Sequence, residues 1–407
     1  MNVDELVRDT LRETAVDSVS VPAGFADRVL AVRRRRRSRR IAGTAAVTAA
    51  VLAAAVAVPL LDGGGDDVRP ASEMNKSDII GHPDQSPPRD LIAAGDTVLA
   101  AFSVSANVKQ DNGDVIRTPT YGLLNQKTGK YEKTRKWAFL DVAPGSRTAA
   151  VLEQELPAKR IGLLDLITGK VDRWIPVDHG VGGVAFSPDG KKLVATTYAK
   201  NPDRYLADRP ISVNGKNEPG PVPSRTGFTI VDVASGESDW HEVPLPKDEF
   251  GFPNTNTRED FDWSHDGSLV YSSTMTNAYG QYYNLDGGKV PAPDEKRITY
   301  VEAGISPDGK LAGGDFAGNG TDIAVAVNDA RTGKRVAKLP AQQLLAWADN
   351  KRLIAWGCDP KKCSGKGEFR NQLLLVTVGT NKVVPLSDFR KASDDYPGRW
   401  SPIFSTR

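Results

Sequence analysis

Short apolar runs alternate with polar turns along most of this chain, and the alternation recurs in six related copies. Each copy is an extended run, a turn centred on Gly or Asn, and a second extended run. The copies are GLLNQKTGKYEKT (122–134), GLLDLITGKVDRW (162–174), FTIVDVASGESDW (228–240), YYNLDGGKV (282–290), IAVAVNDARTGKRV (323–336) and LLLVTVGTNKVVPL (373–386). A second signature is an apolar run, S-P-D-G or a relative of it, and another apolar run. It is clearest in GGVAFSPDGKKLVATTY (182–198), FDWSHDGSLVYSST (261–274) and EAGISPDGKLAGGDF (302–316), and degraded in 140–153 and 344–357. Alternation at period two, as in Val184 and Phe186 and then Leu193 and Ala195, predicts paired strands in packed sheets. Self-similarity at this spacing predicts an all-β propeller whose blades have four antiparallel strands, a to d.

The turn chemistry predicts structure rather than catalysis. Pro188 and Pro307 pre-set φ, and Gly190, Gly267 and Gly309 tolerate positive φ. Asp189, Asp266 and Asp308 occupy equivalent turn positions, so they read as structural turn residues and not as catalytic carboxylates. Residues 97–103 (TVLAAFS) look like a b strand without a preceding a strand, and RWSPIFS (399–405) like an a strand with nothing after it. Their pairing would close a ring of six blades and protect the open edges. Seven blades follow instead if residues 62–96 or 199–226 hide further strands.

The pairing of an S-P-D-G turn with a D-x-x-T-G-K turn resembles the TolB-type and WD-repeat-like β-propellers. The resemblance covers most of residues 91–407. It implies the fold and says little about function. The WD-type Gly-His and Trp-Asp dipeptides do not recur as a regular set, so the TolB-like variant fits better.

The N-terminal part follows different rules. Ile41–Leu61 is 21 residues without a charge. At about 1.5 Å per residue it matches the ~30 Å hydrocarbon core of a bilayer, which predicts a transmembrane helix. The Arg run 33–40 in front of it places residues 1–40 in the cytoplasm and the remainder outside. Competing readings are a nucleic-acid-binding Arg run and a cleaved signal peptide with Ala55-Val56-Ala57 near its site. Residues 1–40 carry two short helical patterns, one with Val3, Leu6, Val7 and Leu11 on one face and one after Pro22. They form either a topogenic tail or, over residues 1–30, a docking segment for a cytoplasmic regulator. Residues 62–90, rich in Gly, Pro, Asp and Ser, are expected to be a flexible stalk. Short tail, Arg run and Ala-rich span together resemble actinobacterial membrane proteins, some of which accompany extracytoplasmic-function sigma factors. That likeness implies a regulatory role. Residues 1–40 hold no His or Cys, so the zinc chemistry of some such regulators is absent here.

Charge and cysteine content narrow the partners. Net charge is +2, and seven positive charges lie in Arg33–Arg40, so the rest of the chain carries −5. A nucleic-acid-binding face on the large domain is therefore not expected. The only cysteines, Cys358 and Cys363, are five residues apart. Outside the membrane they read as a disulfide, with two free thiols as the alternative. The four histidines, His82, His179, His241 and His265, fall in different segments, and no G-x-S-x-G, H-E-x-x-H or P-loop is present. No cofactor, metal or catalytic residue is assigned.

In an up-and-down blade the b–c and d–a connections share one end, and the longest insertions fall there: 104–118, 199–226, 246–260 and 357–371. Long loops of this kind carry function more often than tight turns do. Arg204, Tyr205, Arg209, Phe250, Phe252, Phe369 and Arg370 sit on them and form the candidate binding face. Tyr and Arg are common interface anchors, and packing of the aromatic rings over blade edges is the competing explanation. The expected function is an extracytoplasmic, membrane-anchored module that binds a protein or envelope ligand as scaffold or sensor. An enzyme acting on envelope glycans or peptides is the alternative.

Overall fold

The computed structural model describes residues 79–407 except 214, 244, 246–257, 273–279, 293–301, 320–322, 364–370 and 391–398. The segment expected in the cytoplasm (1–40) and the span expected at 41–61 lie outside the described residues. Among the described residues no helix is long and apolar enough to cross a membrane. These residues form strands and turns alone.

A strap of two short strands, β1 (Ile79–Ile80) and β2 (Ala93–Ala94), leads into the first meander, β3 (Thr97–Lys109), β4 (Val115–Asn125) and β5 (Lys130–Thr134). The second is β6 (Trp137–Val142), β7 (Thr148–Glu153), β8 (Ala158–Asp165) and β9 (Lys170–Phe186). β9 is long enough to serve twice. Its first part pairs with β8 and its last part, Val181 to Phe186, pairs with β10 (Lys192–Tyr198). The third meander is thus β9, β10, β13 (Arg225–Asp232) and β14 (Ser238–Glu242), with the hairpin β11 (Arg204–Val213) and β12 (Lys216–Pro221) inserted after β10. The fourth is β15 (Asp262–Trp263), β16 (Val270–Ser272), β17 (Gln281–Tyr283) and β18 (Lys289–Val290). The fifth has β19 (Leu311–Phe316), β20 (Val325–Asp329) and β21 (Arg335–Leu339), with an Ile305–Ala312 bridge in place of a first strand. The sixth is β22 (Gln343–Trp347), β23 (Arg352–Gly357), β24 (Gln372–Thr377) and β25 (Val383–Pro385). The last strand, β26 (Trp400–Thr406), pairs antiparallel with β3 from Trp400–Val104 to Thr406–Thr97 and so becomes the a strand of the first meander.

The turns are built by side chains that replace missing backbone partners. In the a–b turn of the third meander, Ser187 Oγ donates to Asp189 Oδ1 (2.6 Å) and accepts from the Lys192 amide (3.0 Å), while Gly190 takes φ of 72°. Ser264 with Asp266 and Ser306 with Asp308 repeat the arrangement, with Gly267 and Gly309 at equivalent φ. In the c–d turns, Asp165, Asp232 and Asp329 each accept two backbone amides within their own turn. Burial pushes the carboxyls of Asp165, Asp189, Asp266 and Asp308 upward, but the hydrogen bonds they accept outweigh it and hold them below the usual range. For Asp232 and Asp329 hydrogen bonds from their own turns are the leading cause of the same depression. A depressed folded pKa contributes stability above the unfolded value and loses it as pH falls. The melting temperature should therefore hold from neutral pH to about 5 and decline as pH drops through about 4, the ordinary aspartate value. A melt unchanged down to about pH 2 would contradict this role for the turns.

The a–b and c–d turns of a meander lie side by side. The amides of Leu166, Val233, Ala330 and Val378 donate to the carbonyls of Arg147, Lys191, Lys310 and Lys351 in the turn next to them. Neighbouring meanders also touch at this end. A Cβ on Gly190 would sit 3.4 Å from Pro144, and one on Gly267 would sit 3.2 Å from Pro188. Asn350 Oδ1 accepts from the Asp308 amide, and Ser146 Oγ donates to the Thr406 carbonyl. The buried apolar side chains lie between meanders. One cluster joins the first and second (Leu140, Val151, Tyr121), one the second and third (Phe139, Leu152, Leu193), one the third and fourth (Phe228, Phe261, Tyr283) and one the fifth and sixth (Val327, Leu344, Leu353). A further cluster joins the sixth to the first through Trp356, Leu373, Leu99, Trp400 and Phe404. These stacked antiparallel meanders, four-stranded except for the fifth, are packed face to face in the build of a β-propeller.

Two expectations change. The stalk expected over 62–90 does not extend through residues 79–90, which are docked on the sheets. The His82 amide donates to Leu386 O, and the Gln85 side chain accepts the amides of Arg89 and Asp90 and donates to the Asp90 carboxylate. Composition suggests a stalk because backbone groups, such as the Gln85 carbonyl accepting from Asp388 and the Arg89 carbonyl accepting from Tyr131, do this docking rather than an apolar stripe. The insertions 104–118 and 199–226 are strands rather than loops over most of their length. Neither they nor the strap form a separate sheet, since all join the sheet of the first meander.

Candidate binding face

At the end opposite the tight turns, β3 and β4 run on beyond their meander and pair as far as Lys109–Val115. The β11–β12 hairpin joins them through Arg204–Ile116 and Tyr205–Val115, so the order there is β3-β4-β11-β12. Ninety residues separate Asp114 from Arg204 in sequence, and side chains supply the join. Asp114 accepts from Arg204 Nε (2.7 Å), the Ala207 amide (2.9 Å) and Asn112 Nδ2 (2.9 Å). The Ala207 amide first, then Arg204, holds the Asp114 carboxyl below the usual range. The Arg117 guanidinium lies over the Tyr205 ring at 5.2 Å. Beyond the join, Val108, Ile211 and Val213 are exposed.

A buried ionic cluster fixes the root of this extension. Arg258 grips both oxygens of Asp203 with Nε and Nη2, at 2.6 and 2.5 Å. Its Nη1 donates to Gly182 O (2.6 Å) and reaches Asp260 at 3.3 Å. Tyr198 donates its hydroxyl to the other Asp260 oxygen at 2.6 Å and accepts the Glu259 amide. Burial alone would lower the pKa of Arg258, but the charges of Asp203 and Asp260 raise it far above its usual value. Gly183 makes room, since a Cβ there would meet Asp260 at 2.6 Å. A second pair lies next in sequence. Arg225 donates to the Glu259 carbonyl (2.9 Å), both side chains are 1% exposed, and the guanidinium lies over Phe261.

Of the residues expected to form the face, Arg204 and Tyr205 hold the two hairpins together, and Arg209 is exposed on β11 beyond them. Phe250, Phe252, Phe369 and Arg370 lie outside the described residues. Cys358 and Cys363 form a disulfide with Cα atoms 6.1 Å apart. The histidines stay apart. His179 stacks on Trp240 and His241 packs beside Phe228, and among the described residues no group of three His, Cys, Asp or Glu is placed to hold a metal. The sequence reading missed Asp114, Asp203, Arg258 and Asp260. The only signal was the dense charge of Arg258-Glu259-Asp260 immediately before a strand.

No family model and no curated protein matches the chain. Solved structures similar to it include TolB from Acinetobacter baumannii, 13% identical with a TM-score of 0.33, covering 71% of this chain and 67% of that one. Others are Kuenenia stuttgartiensis hydrazine synthase (15%, 0.32, 63% and 68%) and the β-propeller domain of Myceliophteria thermophila Cps50 (Swd1) (10%, 0.35, 73% and 84%). None of these carries a residue-level statement about this chain.

Proposed function

We propose that this chain is a single-pass membrane protein whose extracytoplasmic part is a six-bladed propeller acting as a binding module. The observation that carries the binding role is the braced extension β3-β4-β11-β12. A sheet that leaves the body of the fold, presents Val108, Ile211 and Val213 to solvent and is pinned at its root suits a preformed contact surface. Six blades agree with six meanders and with the apolar cluster that joins the sixth to the first. The anchor rests on residues 41–61 and the Arg run before them. Residues 1–30 would carry the state of the outer surface to a cytoplasmic regulator, which makes the module a sensor rather than a passive scaffold. Asp203 and Asp260 are both engaged by Arg258, and Asp114 by Arg204, so we assign these three carboxylates no catalytic step on glycans or peptides.

Photo-crosslinkers placed at Arg209 and at Ile211 should give discrete adducts with envelope material in intact cells, while one at Lys334 on the turn end gives none of the same adducts. Equal adducts from both ends would remove the assignment of the loop end. The same cells expressing a chain without residues 1–30 should keep the adducts and lose a co-purifying cytoplasmic protein.

A further inference from the structure

The turn end of the domain has a charge pattern that its structural role does not require. Its a–b and c–d turns hold fourteen Lys and Arg against nine Asp and Glu, a net of +5, although the chain outside the Arg run carries −5. The excess is confined to one arc. Turns 329–335, 348–352, 377–382, 125–130 and 143–147 hold nine cations and two anions. Turns 187–192, 232–237, 264–268 and 284–289, across the fold, hold three cations and five anions. Within the basic arc Lys127, Lys130, Lys334, Lys351 and Lys382 are exposed, and Arg147 is 70% exposed beside Asp165.

The chain reaches the domain in the middle of that arc. Ile79 pairs with Ala94, and the adjoining Gly95 sits against Ala348 and Arg352 in the a–b turn of the sixth meander. Gly81 packs on Leu386 of the sixth meander, and the Leu91 amide donates to Gly129 O in the c–d turn of the first. The strap is thus wedged between the sixth and first meanders at their turn ends. Between Leu61 and Ile79 lie seventeen residues, whose full extension is about 60 Å. A domain of this size has a radius of gyration of about 20 Å, so a tether entering at the turn end keeps that end within reach of a bilayer holding residues 41–61.

We propose that the basic arc of the turn end lies on anionic lipid headgroups of the bilayer in which residues 41–61 are anchored. This rests on the anchored reading given above. Clustered Lys and Arg at a membrane surface are attracted by its negative potential, and that attraction is lost within a Debye length and screened by salt. The acidic turns across the fold tilt away, and the β3-β4-β11-β12 extension points outward. The occupant is a lipid surface, because the chain enters the domain within this basic arc and the anchored bilayer lies within its reach.

The test uses the full chain reconstituted into phosphatidylcholine vesicles with and without phosphatidylglycerol. Reactivity of each lysine toward a membrane-impermeant acylating reagent is read by mass spectrometry. In vesicles containing phosphatidylglycerol, Lys127, Lys130, Lys334 and Lys382 should react about fivefold more slowly than in neutral ones. The difference should vanish near 1 M salt, where the Debye length is about 3 Å. Lys200 and Lys216 at the loop end should be unchanged. A chain carrying K127E, K130E, K334E and K382E should still float with neutral vesicles, and Lys351 of the same arc should show no lipid-dependent slowing in it. Flotation with lysine reactivity that ignores lipid charge would overturn the face and leave the anchor standing, as would slowing at Lys200 and Lys216 instead. Slowing that persists in neutral vesicles at high salt would assign the arc to a contact other than anionic lipid and overturn it too. Failure to float with either vesicle would overturn the anchor and the face together.

Discussion

A chain ending at Gly398 should show no cooperative thermal transition. The deletion removes β26, and with it the whole a strand of the first meander. Trp400, Ile403 and Phe404 are all at most 1% exposed; Trp400 and Phe404 leave the apolar cluster between the sixth and first meanders, and Ile403 leaves the one between the first and second. Burial of each such side chain contributes about 2–3 kcal/mol. Their sum is of the same order as the entire 5–15 kcal/mol margin of an ordinary domain. The loss also strands the turn end, where Ser405 Oγ donates to Ala143 O and Arg407 Nε to Gly95 O. The substitution F404A isolates the packing part and should cost about 3–5 kcal/mol. Calorimetry of both chains is the measurement, and a truncated protein with the parental melting temperature would refute closure by β26.

The second large effect is expected at Arg258. R258M keeps much of the volume and removes the cation between Asp203 and Asp260, whose side chains are 13% and 5% exposed. Taking one partner from a buried ionic cluster costs about 3–5 kcal/mol, because the remaining charges stay buried without compensation. The variant carries a pH signature that a packing defect would not. Burial without a cation favours the neutral form of a carboxylate. The penalty on Asp203 and Asp260 is therefore relieved as pH falls toward about 5, so the deficit against the parent protein shrinks there, where the parent's own stability is flat. Adding D203N and D260N should recover part of the loss at neutral pH. Urea melts at two pH values decide the matter, and a deficit independent of pH would assign Arg258 to packing over Phe139 alone.

Much of the fold was legible because its signals are local. Ser187, Asp189 and Gly190 complete their turn within six residues, and Asp165, Asp232 and Asp329 do the same in the c–d turns. The pairing of 399–405 with 97–103 was readable by counting strands left without partners. What was not legible is non-local. The join of β11 to β4 depends on Asp114 and Arg204, and the register shift between Leu206 and Ile211 destroys the alternation that would have marked a strand. Asp203 and Arg258 are 55 residues apart, and neither neighbourhood shows that the other exists. The docking of residues 79–90 was hidden for a related reason, since backbone groups of His82, Gln85 and Arg89, which no side-chain pattern marks, bond to the sheets.

Strand β9 has a further consequence for how this fold could have been assembled from repeats. Its seventeen residues run unbroken from the outer strand of the second meander, Lys170 to Pro176, into the inner strand of the third, Val181 to Phe186. Where meanders are joined by a connection, a duplication or loss can fall between them and leave complete hairpins on both sides. At β9 any such event cuts a continuous strand and leaves two sheets each lacking part of an edge. The second and third meanders are therefore bound to be inherited together, as one double-length unit within an otherwise modular ring.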